Sequence, residues 1–343
     1  MLPTDLPTDL PTFLRRFGSD EACREHLFRL KWPDGFRCVA ACPGTRCYRL
    51  GTRLAYECAA CGAQQALLAG TIFEQTKSPL PTWFLAIYWF LASKGGVSAL
   101  ELKRHLGFKS DQTAWSWLHK LRRAMAVRGT PLEGPVEVDE TMIGGPEPGK
   151  RGRGAGGKTL VAGAVETRVF EVQAPDAAQI SGRLSGAART CAIALVERLA
   201  TGPGERRRCL ARARLGVIAD ASTAELTRFI DAAVAPGAAI ATDGWAGYLK
   251  PGRGRAHRRI VVSAAEGQAH DHLPAVHLVF TLLKRLLTGT YHGGVGRHLP
   301  AYLDEFVFRF NRKSLTPVHN ALAVIARAMT TDPFPNRMIL SRS

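Results

Sequence analysis

Apolar positions along the 343-residue chain fall into three rhythms, and each predicts a different kind of element. The first is nearly continuous: Trp83 to Ala92 is apolar almost all round, which predicts a buried helix. The second has helical spacing. Leu100, Leu102 and Leu106 follow Ser98 and Glu101, a capping-box start, and Gly107 ends that helix. Asp111 then caps a helix carrying Ala114, Trp117, Leu118, Leu121 and Met125 on one stripe. Ser222 with Glu225 opens another through Leu226, Phe229 and Ile230, and Pro274 opens one with Val276, Val279, Phe280, Leu283 and Leu287. The third rhythm is that of strands. Val136-Glu137-Val138-Asp139-Glu140 alternates, placing Val136 and Val138 on one face and Glu137 and Asp139 on the other. The runs 159–166, 215–220, 238–243 and 260–262 read as further strands.

Cysteines change the reading of the first quarter. Cys38 and Cys42 form C-x3-C, and Cys58 and Cys61 form C-x2-C. Between the pairs, Tyr48, Leu50, Leu54 and Tyr56 flank Gly51 and suit a β-hairpin. Two close pairs across a hairpin present four soft thiolates tetrahedrally, which points to structural Zn2+. A module this small needs such a clip to fold. The alternative is a set of reduced structural thiols, and Cys47 is a possible substitute ligand because the first pair is spaced by three. Cys23, Cys191 and Cys209 have no partner pattern and read as ordinary thiols.

Charge then narrows the partner. Lys plus Arg number 46 against 29 Asp plus Glu, a formal charge of +17, which favours a polyanion, nucleic acid first. A merely solubilising surface is the bland alternative. The two helices around Gly107 match a helix-turn-helix whose second helix would offer Lys109, Gln112, Thr113 and Ser116 to base edges. A plain helical bundle joining two domains is the competing reading. The glycine-rich stretch 143–158 carries Lys150, Arg151, Arg153 and Lys158, and glycine lets backbone and bases approach phosphate. A second basic cluster comprises Arg253, Arg255, His257, Arg258 and Arg259. The longest apolar run is about half of the ~20 residues a membrane span needs. The start, MLPTDLPTDLPTF, lacks a basic segment followed by an apolar one, so no secretion signal is expected. Its Leu-Pro-Thr-Asp repeat reads as a disordered leader, and a cytoplasmic, nucleoid-associated chain with reduced cysteines is the expectation.

Asp139 and Asp243 sit on apolar-backed strands, where a carboxylate is costly unless a cation or donor meets it. His277, Thr281 and Lys284 share one face of the Pro274 helix. Taken singly, each has a bland reading: a turn-side carboxylate, a helix cap, a structural histidine. The stretch 171–214 is the least readable, with a helix suggested at 187–199 and a basic run at 206–208.

Together, the ribbon cysteines, Val136-Glu-Val-Asp-Glu140, Ile143-Gly-Gly, Gly149-Lys-Arg-Gly152, Thr242-Asp-Gly-Trp245, Leu273-Pro-Ala-Val-His277, Leu283-Lys-Arg285, Gly289-Thr-Tyr-His-Gly293 and the block 302–312 resemble bacterial insertion-sequence transposases of the fifteen-ninety-five family. The resemblance implies an α/β chain, a zinc ribbon followed by an RNase H-like (integrase-like) mixed sheet with helices, and the residue pattern sets the helix-turn-helix between them. Residue pattern and resemblance together divide the chain into a leader over 1–19, a ribbon domain over 20–76, a helix-turn-helix region over 77–130, a catalytic domain over 131–330 with 171–214 as an insertion, and a tail over 331–343. The resemblance places Asp139 and Asp243 as the first two metal-binding acids. The third position falls on His277, seven residues before Lys284, where many relatives carry glutamate. The implied activity is DDE-type cleavage and transfer of double-stranded DNA using Mg2+ or Mn2+, in a homodimer or larger synaptic complex, without a membrane. The alternatives are a catalytically decayed copy that acts only as a zinc-containing DNA-binding protein or repressor, and a zinc-ribbon transcription factor, which leaves the second half unexplained.

Overall fold

A computed structural model describes residues 7–335 and 339, apart from 41, 52, 127–128, 145–157, 172–205, 252–253, 262–271 and 293–295. The chain divides into two compact units, 1–126 with 315–343, and 127–314.

The first unit begins earlier than its composition suggests. Where the repeat reads as a leader to residue 19, α1 (Leu10–Phe17) is a helix. Asp9 and Thr12 form a reciprocal capping box, and Pro11 falls in the first turn, where a missing N–H costs nothing. Phe13 and Phe17 are buried, so the helix is held by packing. α2 (Asp20–Lys31) follows, then an antiparallel three-stranded ribbon of β1 (Cys47–Arg49), β2 (Ala55–Cys58) and β3 (Gln64–Ala66). The expected helices appear as α3 (Leu80–Ala92), α4 (Ala99–Leu106) and α5 (Asp111–Met125). Gly107 adopts the left-handed conformation between the last two, and Ser110 rather than Asp111 caps α5. Trp83 of α3 stacks on Trp117 of α5 with ring centroids 3.4 Å apart. Residues 315–330, expected at the end of the catalytic domain over 131–330, group instead with this unit, where their helix lies against α3 and α5.

The second unit is a five-stranded mixed sheet. Its strands are β4 (Val136–Ile143), β5 (Thr159–Glu171), β6 (Arg206–Ile218), β7 (Ile240–Asp243) and β8 (His257–Ile260), in spatial order β6-β5-β4-β7-β8. β4, β5 and β6 run antiparallel, while β4, β7 and β8 run parallel. Alternation on β4 sorts its two faces. Val136 and Val138 pack with Ala162, Ala164 and helix α6 (Thr223–Ala233). The opposite face is covered by α7 (Pro274–Gly289) and α8 (Leu299–Asn311) over Ile143, Val161 and Val165. The chain returns to the first unit as α9 (Pro317–Ala328).

The block 302–312 proves to be an anchor. The Asn311 side chain accepts from the Ala213 N–H at 2.7 Å and donates to its carbonyl at 3.1 Å, satisfying edge strand β6. Buried Glu305 accepts from the Tyr291 hydroxyl and from Arg309 Nε, each at 2.9 Å. A second anchor joins β5 to β6: Glu166 accepts from the Gly134 N–H and pairs with Arg212 at 2.8 Å, and that guanidinium and the amides hold its carboxyl down at about 2 despite burial.

Candidate functional sites

The ribbon gathers Cys38, Cys42, Cys58 and Cys61 so that their sulfurs all lie within 4.8 Å of one another. Peptide N–H groups face those sulfurs: Gly44 at Cys42, Ala60 and Cys61 at Cys58, and Ala63 at Cys61. The Ala60 and Cys61 amides hold the Cys58 thiol down at about 7. Four thiols in one pocket with amide donors form a set made for a soft cation, and structural Zn2+ is the ion they fit. Cys47 pairs with Cys58 across β1 and β2 and is not one of the four sulfurs of that group.

The second site is built on the middle of the large sheet. β4 and β7 pair in parallel through Val136 with Ile240 and Glu137 with Ala241. Two positions further along each strand stand Asp139 and Asp243. Asp243 therefore closes β7, at the carboxyl end where open α/β sheets bind ligands, while Asp139 lies in the middle of the adjacent β4, just past its pairing with β7. Asp139 is buried, and one of its oxygens accepts from the Glu140 N–H at 2.8 Å. Asp243 accepts from the Trp245 N–H at 3.0 Å. From α7, His277 Nε2 stands 3.3 Å from the other oxygen of Asp139. Lys284 is exposed two turns further along the same helix, about 10 Å along its axis.

Two features bring the histidine there. Gly163 faces Asp139 across β4 and β5. A Cβ on Gly163 would come within 2.6 Å of the Phe280 ring, so the glycine lets α7 settle onto the sheet. The other feature is Glu137, which sequence reasoning left without a role. It is 2% exposed, and its Oε2 accepts from the N–H groups of Ala275 and Val276 at 2.7 and 3.1 Å. Those amides open α7, whose N-cap, Leu273, supplies no side-chain acceptor. A carboxylate at a helix N-terminus also meets the positive end of its dipole. Strand β4 thus holds Asp139 with one side chain and the helix bearing His277 with another. The signal was present: an uncapped Leu-Pro helix start and an unexplained acid two residues before Asp139. On the opposite face, the Tyr248 hydroxyl donates to Glu140 Oε2 at 2.6 Å, and burial beside that carboxylate keeps the phenol protonated.

Among the described residues, the cysteine cluster is the group whose ligand atoms share one 4.8 Å sphere, and Asp139, Asp243 and His277 do not close that tightly. Two carboxylates with an imidazole are nevertheless donors of a kind that a divalent cation accepts.

The DNA-contact candidates divide. Lys109, Gln112 and Thr113 are exposed at the start of α5. Ser116 is 1% exposed and turned into the bundle, which removes it from base contact. Lys158 is half-buried at the entry to β5, while Lys150, Arg151 and Arg153 lie outside the described residues, as does most of 171–214.

Residues 18–64 match the transposase zinc-ribbon domain of the IS1595 family, and residues 173–311 match its ISXO2-like transposase domain. The second match takes in Asp243, His277 and Lys284, begins beyond Asp139, and includes 173–214. A protein of the transposable element ISH50 from Halobacterium salinarum, described as uncharacterized, is 26% identical over 133 residues, 38% of this chain and 44% of the relative. No solved structure matches the chain. No described helix is long and apolar enough to cross a membrane.

Proposed function

The chain carries the zinc ribbon and the transposase domain of the IS1595 insertion-sequence family, and from that premise we propose that it binds the terminal inverted repeats of its element and catalyses metal-dependent cleavage and transfer of DNA strands. The observation that carries the reading is the convergence of Asp139, Asp243 and His277 from two neighbouring strands and one helix. The sheet supports an RNase H-like assignment: a three-stranded antiparallel meander extended by two parallel strands, with the first acid on its middle strand. The Gly107 turn between α4 and α5, with exposed Lys109, Gln112 and Thr113, supports a helix-turn-helix that reads the major groove.

In this reading Asp139 and Asp243 would hold the divalent ions, and His277 would add a nitrogen ligand or orient water. When bound, such ions neutralise charge at phosphorus and lower the pKa of a bound water. The protein's own groups do the rest. Glu137 fixes the first turn of α7, so His277 approaches Asp139 in one geometry. Lys284 and Lys158 offer cations to the phosphates on either side of the cut, which position the backbone without reading sequence. Cutting and joining two ends together calls for a dimer or larger synaptic assembly.

The test is strand joining by the purified protein on duplexes bearing the inverted repeats that flank its gene, with Mg2+ or Mn2+. Joined products that Asp139→Asn removes, with end binding retained, are expected. Tight end binding without joining by the unmodified protein would favour the alternative, a zinc-containing DNA-binding protein or repressor.

A further inference from the structure

Trp245 is a large aromatic side chain that lies 41% exposed at the rim of the Asp243 site. It is not a loose surface residue. Its indole N–H donates to the Ala221 carbonyl at 2.9 Å, and its peptide N–H donates to Asp243 Oδ1 at 3.0 Å. Gly247 closes on the same edge: a Cβ there would stand 2.7 Å from Nε1, so the absence of a side chain lets the indole lie against the backbone. The ring is thus held by its nitrogen edge while part of its surface meets water. A pinned aromatic loses little rotamer freedom when something stacks on it.

The surroundings say what that ligand is. Arg258 and Arg259 are exposed on β8, and register places Arg259 opposite Thr242, next to Asp243. Lys250 is exposed five residues beyond Trp245. An exposed aromatic face on a surface whose adjoining segments carry exposed cations suits a flat π-system attached to phosphate. We propose that Trp245 is a stacking platform for the base of a nucleotide flanking the cut. The inference rests on the reading of Asp139, Asp243 and His277 as the cleavage site. Because one peptide N–H joins Trp245 to Asp243, the stacked base and the scissile phosphate are held in register. Stacking tolerates any base, so this platform sets where the strand is cut and leaves sequence to other contacts.

The test uses the full chain without divalent metal, so a protein that fails to join strands still answers it. End duplexes carry 2-aminopurine, or an abasic site, at each of the nucleotides flanking the cut in turn. Unmodified protein should change 2-aminopurine fluorescence at one position, and an abasic site there should weaken binding about 5- to 150-fold. Trp245→Ala should abolish both effects, binding intact and abasic ends alike, and Trp245→Phe should keep most of each. Abasic sites that leave the affinity of the unmodified protein unchanged at every position would overturn the proposal without any protein variant. So would a Trp245→Ala protein that still distinguishes intact from abasic ends, or one whose only change is in self-association.

Discussion

The ribbon brings metal-ligating side chains together, and under the proposed function the sheet does so as well, in the opposite way. The ribbon's four sulfurs come from 24 consecutive residues, Cys38 to Cys61, and share one small sphere with amide hydrogens already facing them. The Asp139, Asp243 and His277 groups come from three elements spread along the chain and stay further apart. The first arrangement is closed: every position around the ion is filled by protein, so the ion contributes to folding. The second leaves room, and room is what a reacting phosphate and water need. On the proposed reading, closure separates a metal that holds a fold from one that would work on a substrate.

The largest effect that sharpens this contrast is loss of zinc. Structural zinc in small modules contributes apparent free energies of about 10–16 kcal/mol. Chelation, or Cys61→Ser, should therefore remove hydrogen-exchange protection from the ribbon while β4 and β5 stay protected. Equal protection in the ribbon before and after verified zinc loss would erase the distinction. Next in size is Glu137→Ala, which frees the amides of Ala275 and Val276 and lets the start of α7 fray. Joining should fall about 10- to 100-fold, the usual cost of losing a group that orients a ligand. Exchange should rise at 275–277 in the metal-free protein, and Glu137→Gln, which keeps an acceptor oxygen, should retain most of both properties. An unchanged exchange rate in the alanine variant would show that α7 needs no help from the sheet. The smallest effect concerns the ion. Imidazole suits Mn2+ better than Mg2+, so joining should favour Mn2+, and His277→Glu should shift the ratio of rates toward Mg2+ on the order of tenfold. Equal rates in both metals across pH, for both proteins, would remove the histidine from the site.

What the sequence showed, and what it hid, follows the range of the interactions. The ribbon cysteines, the alternation of β4 and the stripe of α7 are local patterns, and the structure has them where periodicity places them. β6 was legible only from Leu215, because its first half is rich in arginine. Leu210 and Ala213 bury one side of it, and Arg212 is spent on Glu166. β8 lies over 257–260, earlier than its apolar residues suggest, because its arginines face out and its backbone pairs with β7. The role of Glu137 at α7 spans 138 residues, and no local pattern encodes such a contact. Ser116 follows the same lesson in reverse: polar and early on α5, it is covered by the bundle.

The central claim is that Asp139, Asp243 and His277 hold one metal site in the folded protein. Replacing the divalent ion with Fe2+ and adding ascorbate and peroxide cuts the backbone wherever the iron sits. Cuts in the middle of β4, at the end of β7 and at the first turn of α7, all lost together in Asp139→Asn and undiminished with zinc in the ribbon, are the predicted result. Cuts confined to the ribbon, or cuts on the sheet that spare the first turn of α7, would contradict it.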